Sequence, residues 1–193
     1  MPKLIWQVPN EENKIFLTFD DGPTPRVTDW VLETLELLQI PATFFVVGEN
    51  VEKHPKVFEQ IIAKGHSVGN HTFNHLNSWK TSQEDYLLNI KKCADVIGDT
   101  TGIPMFRPPY GKISLSLSNK ILKMYRIVMW DVLSYDFDLE VPVEKCLAKS
   151  TEYTRAGSIV IFHDSFKTEA RLKTVLPAYF KKMVDEGFTF CRL

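Results

Sequence analysis

An α/β fold, with a parallel sheet covered by helices as in a barrel or a doubly wound domain, is predicted by three features of the sequence. Short, near-continuous apolar runs alternate with longer segments of helical period, the pattern of strands buried on both faces and linked through helices. Acidic residues, histidines and an arginine gather at the C-terminal ends of those runs. Two proline-rich stretches, Asp21-Gly22-Pro23-Thr24-Pro25 and Arg107-Pro108-Pro109-Tyr110-Gly111, come directly after strands, where barrel folds place shaped site loops.

Ile15-Phe16-Leu17-Thr18-Phe19 is the first strand, and Val27, Val31, Leu35 and Leu38 at three-to-four spacing form an amphipathic helix behind it. Ala42 to Val47 is the second strand. Pro55, suited to a first helical position, starts a helix that runs to Lys64 and stops at Gly65. His66 to Gly69 is a short strand. Ser82-x-x-Asp85 resembles a capping box ahead of Leu87, Ile90, Ala94 and Ile97, a helix ending near Gly98. Met105-Phe106 is extended, Leu115 to Met124 helical, Arg126 to Trp130 a strand and Val143 to Glu152 a helix. Gly157 to Phe162 is the most apolar strand. Thr168 to Glu186 is the longest helical stretch, which Pro177 is expected to kink or divide, and Phe188 to Cys191 is a final strand.

The 193 residues suit one domain over 1–193, since a domain averages about 150 residues, and neither an internal repeat nor a linker divides them. Hydrophobic residues at 44% and charged residues at 24% exclude disordered, collagen-like and disulfide-scaffold chains. Twenty-three Lys and Arg against 24 Asp and Glu leave a net charge of −1, so no positive field exists to hold nucleic acid or an anionic membrane. Cys93, Cys146 and Cys191, odd in number and far apart, form no disulfide framework and read as small core residues in a reducing compartment. The opening Met1 to Pro9 lacks the apolar core of a leader, and no run of about 18 apolar residues occurs. The chain as it stands is therefore expected in the cytoplasm, or outside the cell if a leader has been removed. No nucleic-acid, membrane or protein partner is implied.

Asp20 and Asp21 end the first strand. Adjacent carboxylates point in different directions, so one can bind a cation while the other accepts a proton, with Gly22-Pro23 shaping the turn beneath them; the same residues also suit an ordinary helix-capping turn. His71 and His75, four apart, would share one face of a helical turn and with it a metal ion. Five histidines in this chain give only about 0.13 such pairs by chance. Asp21 offers the hard oxygen that accompanies two imidazoles in catalytic zinc or iron sites. Arg107 suits holding a carboxylate in a fixed orientation. His163, ending the most apolar strand ahead of Asp164, is placed where an imidazole pKa can be tuned for proton donation. His54, in a Lys-His-Pro-Lys turn, and His66 read as surface or packing residues.

Thr18-Phe19-Asp20-Asp21-Gly22-Pro23, His71-Thr72-Phe73-Asn74-His75, Arg107-Pro108-Pro109-Tyr110 and Ile161-Phe162-His163, in that order, make the chain resemble the NodB-homology polysaccharide deacetylases of carbohydrate esterase family 4. The resemblance runs over nearly the whole chain. It implies a distorted (β/α) barrel of parallel strands with outer helices. It also implies metal-dependent hydrolysis of N-acetyl, occasionally O-acetyl, groups on a glycan such as an N-acetylglucosamine-containing polysaccharide or oligosaccharide. By motif match, Asp21, His71 and His75 would hold one divalent metal ion, zinc first and cobalt, nickel or manganese after it. Asp20 would be the general base, Arg107 its orienting partner, the Tyr110 main-chain N–H an oxyanion donor and His163 the general acid. Ile161 stands where the family has Leu, lining the acetyl pocket, with Trp130 and Phe137 as aromatic walls; Trp79, Tyr135 and Phe166 are further stacking candidates.

One motif departs. The family pattern Asp-x-x-Asp-Trp, whose first Asp is read as the support of the catalytic His, aligns with Leu133-Ser134-Tyr135-Asp136-Phe137. His163 is therefore expected to lack its charge partner and to have a lowered pKa unless Asp131 or Asp136 reaches it. A second reading follows, a degenerate member that binds acetylated glycans without turning them over. A third, a metallohydrolase of a phosphoester, lacks a second metal cluster or a Gly-rich phosphate loop. Intact Asp20, Arg107 and His163 favour the deacetylase.

Overall fold

The computed structural model describes residues 3–99 and 104–193; Met1 and Pro2 of the opening segment lie outside them. Along the chain come β1 (Lys14–Asp20), α1 (Val27–Leu37), β2 (Thr43–Val46), α2 (Gly48–Lys53), α3 (Pro55–Ala63), β3 (Ser67–Asn70), α4 (Gln83–Ile97) and β4 (Met105–Phe106). A 3₁₀ turn (Pro109–Gly111) leads to α5 (Leu115–Ile121), β5 (Arg126–Ile127), β6 (Val132–Leu133), α6 (Val143–Glu152), β7 (Ile159–His163), α7 (Glu169–Asp185) and β8 (Thr189–Cys191).

The sheet runs β5-β4-β3-β2-β1-β7-β6, with β8 on β1 below β2, and these named pairings are parallel. It curls into a distorted half-barrel whose edges, β5 and β6, are not joined to each other. The N-terminal segment spans that gap: Ile5 bridges Val128 and Gln7 bridges Ser158, and the Val8 N–H donates to Gly157 C=O at 2.8 Å. The barrel expected from the sequence is thus closed by a stretch with no strand pattern of its own.

Period-two alternation on β1 sends Ile15, Leu17 and Phe19 outward to the helices and Thr18 and Asp20 inward. Phe19 stacks on Phe44 at 5.1 Å and lies 6.3 Å from Phe162, its register partners on β2 and β7. Val31, Leu35, Phe58, Ile61, Leu172 and Leu176 pack over this outer face, each worth about 1.5–3 kcal/mol on full burial. On the other flank α4 and α5 cover β4 and β5 through Tyr86, Ile90, Phe106, Leu117 and Ile127. The interior holds a small apolar plug, Phe45, Met105, Val128 and Ile159, which leaves the C-terminal mouth to polar residues.

The Ser82 hydroxyl accepts from the Asp85 N–H at 3.1 Å, and α4 stops at Gly98 with φ of 74°, as the capping pattern requires. Pro177, in contrast, does not divide α7, which runs through it. The lost helix bond and ring clash cost about 3 kcal/mol, and Leu172, Val175, Leu176, Tyr179, Phe180 and Met183 hold both halves to the sheet by burial. The helix α5 ends at Ile121 rather than Met124, and the strand expected to reach Trp130 is paired with β4 only over Arg126–Ile127, since β4 ends at Phe106; the Val128 N–H still donates to Phe106 C=O at 2.9 Å while Val128 also bridges Ile5. His66 packs edge-on to Phe44 and its Nδ1 accepts from the Ala42 N–H at 3.2 Å, a packing role as read. The three cysteines are free, two buried and Cys191 half-buried. Among the described residues no helix is long and apolar enough to cross a membrane.

Candidate active site

Parallel register brings Asp20 of β1 beside Phe45 of β2 on one side and His163 of β7 on the other. All three stand at strand ends on the inner face, so residues 143 positions apart in sequence meet at the mouth of the barrel. Arg107, the first residue after β4, is fully buried. Its Nη1 donates to Asp20 Oδ1 at 2.7 Å and to Thr18 Oγ1 at 2.8 Å, its Nη2 to Met129 C=O at 2.9 Å and its Nε to Val128 C=O at 3.2 Å. The guanidinium also lies 4.0 Å from the Phe45 ring centroid, a cation–π contact strengthened by the absence of water. A charge taken wholly out of water is tolerated because every face of it is answered, and the result is an Asp20 carboxylate held rigidly by one oxygen.

Asp21, at φ of 81°, leaves the strand and presents Oδ1 to His75 Nε2 at 3.3 Å and to His71 Nε2 at 3.8 Å. The two histidines do not lie on a helix. They bracket an irregular loop after β3 in which Thr72 and His75 both have positive φ, so their convergence comes from the turn and not from helical periodicity. Asn89 of α4 accepts from the Phe73 N–H at 2.8 Å and Asn70 from the Thr72 N–H at 2.9 Å, which holds the loop in place. His71 Nδ1–H donates to Arg107 C=O at 2.8 Å, and His75 Nδ1 is 3.2 Å from the Tyr110 hydroxyl. Both rings therefore turn Nε2 towards Asp21.

Burial works against ionisation of Asp21, but the imidazoles of His75, His163 and His71 outweigh it and hold the carboxyl well below the usual carboxylate range. Burial also lowers His71, to about 4, against the pull of Asp20 and Asp21, so its Nε2 lone pair is free at neutral pH. The ligand atoms of Asp21, His71 and His75 lie within 4.8 Å of one another. Asp21 Oδ1 is buried without a hydrogen-bond partner among the described residues. An orphaned anionic oxygen beside two imidazole lone pairs is a set of donors that a divalent cation satisfies, and the residues fit such an ion.

Of the alternatives left open for His163, the structure supplies a charge partner in place of the one Leu133 cannot provide, and it is Asp136. Asp136 Oδ1 lies 2.7 Å from His163 Nδ1, and its Oδ2 accepts from the His163 main-chain N–H at 2.8 Å. Ser134 donates to the same carboxylate at 2.8 Å. Burial alone would lower the imidazole; Asp136, with Asp21 and Asp20 behind it, reverses that and raises His163 to about 9. Asp131 is spent elsewhere, accepting from Gln7, Ser158 and the Ile159 N–H. Leu133, in register with Ile161, instead adds to the wall of the pocket.

That pocket, of about 280 Å³, contains Asp20, Asp21, His71, His75 and His163 on one side and Trp130, Leu133, Phe137 and Ile161 as apolar walls. All three predicted wall residues, Ile161, Trp130 and Phe137, are there, and Phe137 meets the His163 ring edge-on at 5.1 Å. Tyr110 lines the rim with φ of 61°. Its N–H stands outside the turn bonds, which run from Gly111 to Pro108 and from Lys112 to Pro109. Gly111, itself at φ of 64°, has no side chain because a Cβ would sit 2.7 Å from Trp130 Cη2. Thr18 and Lys167 belong to the site without having been given a role, and Leu133, marked only as a departure from the family motif, is a wall of the pocket. Thr18 alone had a signal, standing two residues before Asp20 on the same strand face.

The polysaccharide deacetylase family model matches residues 7–127. A peptidoglycan-N-acetylglucosamine deacetylase of Bacillus cereus is 31% identical over 188 residues, covering 96% of this chain and 88% of that protein. A chitooligosaccharide deacetylase of Azorhizobium caulinodans is 34% identical over 163 residues, covering 82% of this chain and 77% of that protein. The solved structure of the Bc1960 peptidoglycan N-acetylglucosamine deacetylase superposes with a TM-score of 0.91 at 27% identity, covering 98% of this chain and 90% of that one.

Proposed function

The chain belongs to the polysaccharide deacetylase family, the NodB-homology group of carbohydrate esterase family 4, and from that premise we propose that it hydrolyses acetamido groups on an N-acetylglucosamine-containing glycan. The observation that carries the reading is the division of labour between adjacent carboxylates: Asp20 is bound by Arg107, whereas Asp21 faces two imidazoles. Asp21, His71 and His75 would hold one divalent cation, most naturally zinc given two nitrogens and one oxygen. Such an ion lowers the pKa of water and polarises a carbonyl.

Asp20 accepts the proton of the attacking water on Oδ2, since Oδ1 is engaged by Arg107. The Tyr110 N–H points a donor at the oxygen that gains charge as the amide carbonyl becomes tetrahedral; one such donor is worth about 3 kcal/mol in comparable sites. His163, charged through Asp136 and turning Nε2 to the pocket, delivers a proton to the departing amine. Ile161, Leu133 and Trp130 exclude water from the acetyl methyl, and Phe137 offers a face to the sugar ring. The B. cereus and A. caulinodans relatives, named for peptidoglycan and chitooligosaccharide, support N-acetylglucosamine as the unit recognised. The catalytic set is complete, which disfavours a role in binding alone.

His71→Ala and His75→Ala test the reading. Each should weaken zinc binding by at least about tenfold, measured by competition with a chromophoric chelator, and should lower acetate release from N-acetylglucosamine oligomers in parallel. Zinc retained at wild-type affinity in both variants would remove these residues from the metal site.

A further inference from the structure

The mechanism makes no use of Asp164, yet this carboxylate is wholly buried and directed at the backbone of the loop that carries Asp20 and Asp21. Its Oδ1 accepts from the Gly22 N–H at 3.0 Å, and its Oδ2 is bonded to the Thr28 hydroxyl at 2.5 Å. Thr28 Oγ1 in turn accepts from the Thr24 N–H at 2.7 Å, so both ends of the loop between β1 and α1 are tied to one side chain. The Asp164 N–H donates to Asp20 C=O at 3.1 Å, completing a two-way link between the ends of β7 and β1. Position 22 is shaped for this contact, because a Cβ there would lie 2.1 Å from Asp164 Oδ2. The neighbouring carbonyls are held as well, Asp21 C=O by Asn50 Nδ2 at 2.8 Å and Gly22 C=O by the Val47 N–H at 2.9 Å.

We propose that Asp164 is a positioning residue, a buried clamp on Gly22 and Thr28 that sets the φ-positive turn at Asp21 and thereby aims one carboxylate at the metal and its neighbour at the reacting water. It touches neither substrate nor metal. Because the same dipeptide carries His163, the clamp also fixes the spacing of the proton acceptor on β1 from the proton donor on β7. This rests on the reading of the site given above, but its first readout needs neither metal nor substrate.

Asp164→Asn keeps the Gly22 bond through its amide oxygen and reverses the other, its NH₂ donating to the Thr28 hydroxyl that in the wild type donates to Oδ2, whereas Asp164→Ala removes both. In Asp164→Ala, amide hydrogen exchange at Gly22 in the metal-free protein should rise at least tenfold. Zinc affinity and kcat at saturating zinc should each fall about tenfold, the size seen when outer-sphere partners of a metal site are lost, with KM unchanged. Asp164→Asn should stay within about threefold of wild type in all of these. A merely structural carboxylate would lower the melting temperature and leave zinc affinity and kcat of the folded protein alone. Wild-type exchange and zinc affinity in Asp164→Ala, or an Asp164→Asn variant as impaired as the alanine, would overturn the proposal. Should Asp164→Ala fail to fold, Thr28→Val severs half of the clamp and should move the same readouts in the same direction; wild-type values there would overturn it equally. A protein whose Gly22 exchange responds as stated but which releases no acetate would contradict the deacetylase reading and not the clamp.

Discussion

Replacing Asp20 with Asn is expected to lower acetate release by at least about 10³-fold, within the span attributed to a positioned general base, while zinc stays at one ion per chain. The geometry separates the two effects. Asp20 Oδ1 is bonded to Arg107 at 2.7 Å; both carboxylates lie at similar distances from His71 Nε2, 3.7 Å for Asp20 and 3.8 Å for Asp21, and it is Asp21 that also faces His75 Nε2, at 3.3 Å. Asn keeps an oxygen for Arg107 but cannot take a proton from water. It also leaves a fully buried guanidinium without its counter-ion, a change that costs about 3–5 kcal/mol in comparable buried pairs. The variant should therefore melt lower as well, and activity is to be compared below that transition. Zinc lost in step with activity would mean that Asp20 is a ligand and the two carboxylates have been assigned in reverse.

Asp136→Asn should cut kcat by about 10²-fold or more and shift the pH profile in a stated direction. His163 must be protonated to deliver its proton, so activity is present below its pKa and is lost as pH rises through it, near pH 9 in the wild-type protein. Burial pulls that pKa down and Asp136 holds it up. With the carboxylate neutralised, the alkaline limb of kcat/KM should move to lower pH by about 1–3 units. A limb that stays in place would mean that another group titrates there. Leu133→Asp, in contrast, has no vacant role to fill, because the support it would restore is already supplied two residues beyond Ser134.

What could be read from the sequence, and what could not, divides by the range of the interaction involved. The strand ends carrying Asp20, Arg107 and His163 were legible because a buried parallel strand has a local apolar signature and its polar terminus stands out. Their mutual placement was not, since the pairing of Asp20 with His163 depends on long-range register. The histidine pair was legible as a pair of metal-ligating residue types, but their four-residue spacing suggested a helix, whereas the loop converges through positive φ at Thr72 and His75. β6 is two residues long and α2 buries a single branched apolar side chain, Val51, so neither offers a period to detect. Asp136 was one of two open choices, decided by a loop that folds Tyr135 to φ of 59° and brings the carboxylate over His163. The closing segment from Ile5 to Val8 contributes main-chain bonds, on which side-chain patterning is silent.

A metal held by Asp21, His71 and His75 and a proton relay of Asp20 and His163 are proposed to act together in removing acetyl groups. The most direct measurement is acetate release from N-acetylglucosamine oligomers by the protein stripped of metal with a chelator and then titrated with zinc. Release should be absent from the stripped protein and return in proportion to zinc, reaching its plateau at one equivalent per chain. Full release without metal would contradict the metal site, and none with one zinc bound would contradict catalysis on this glycan.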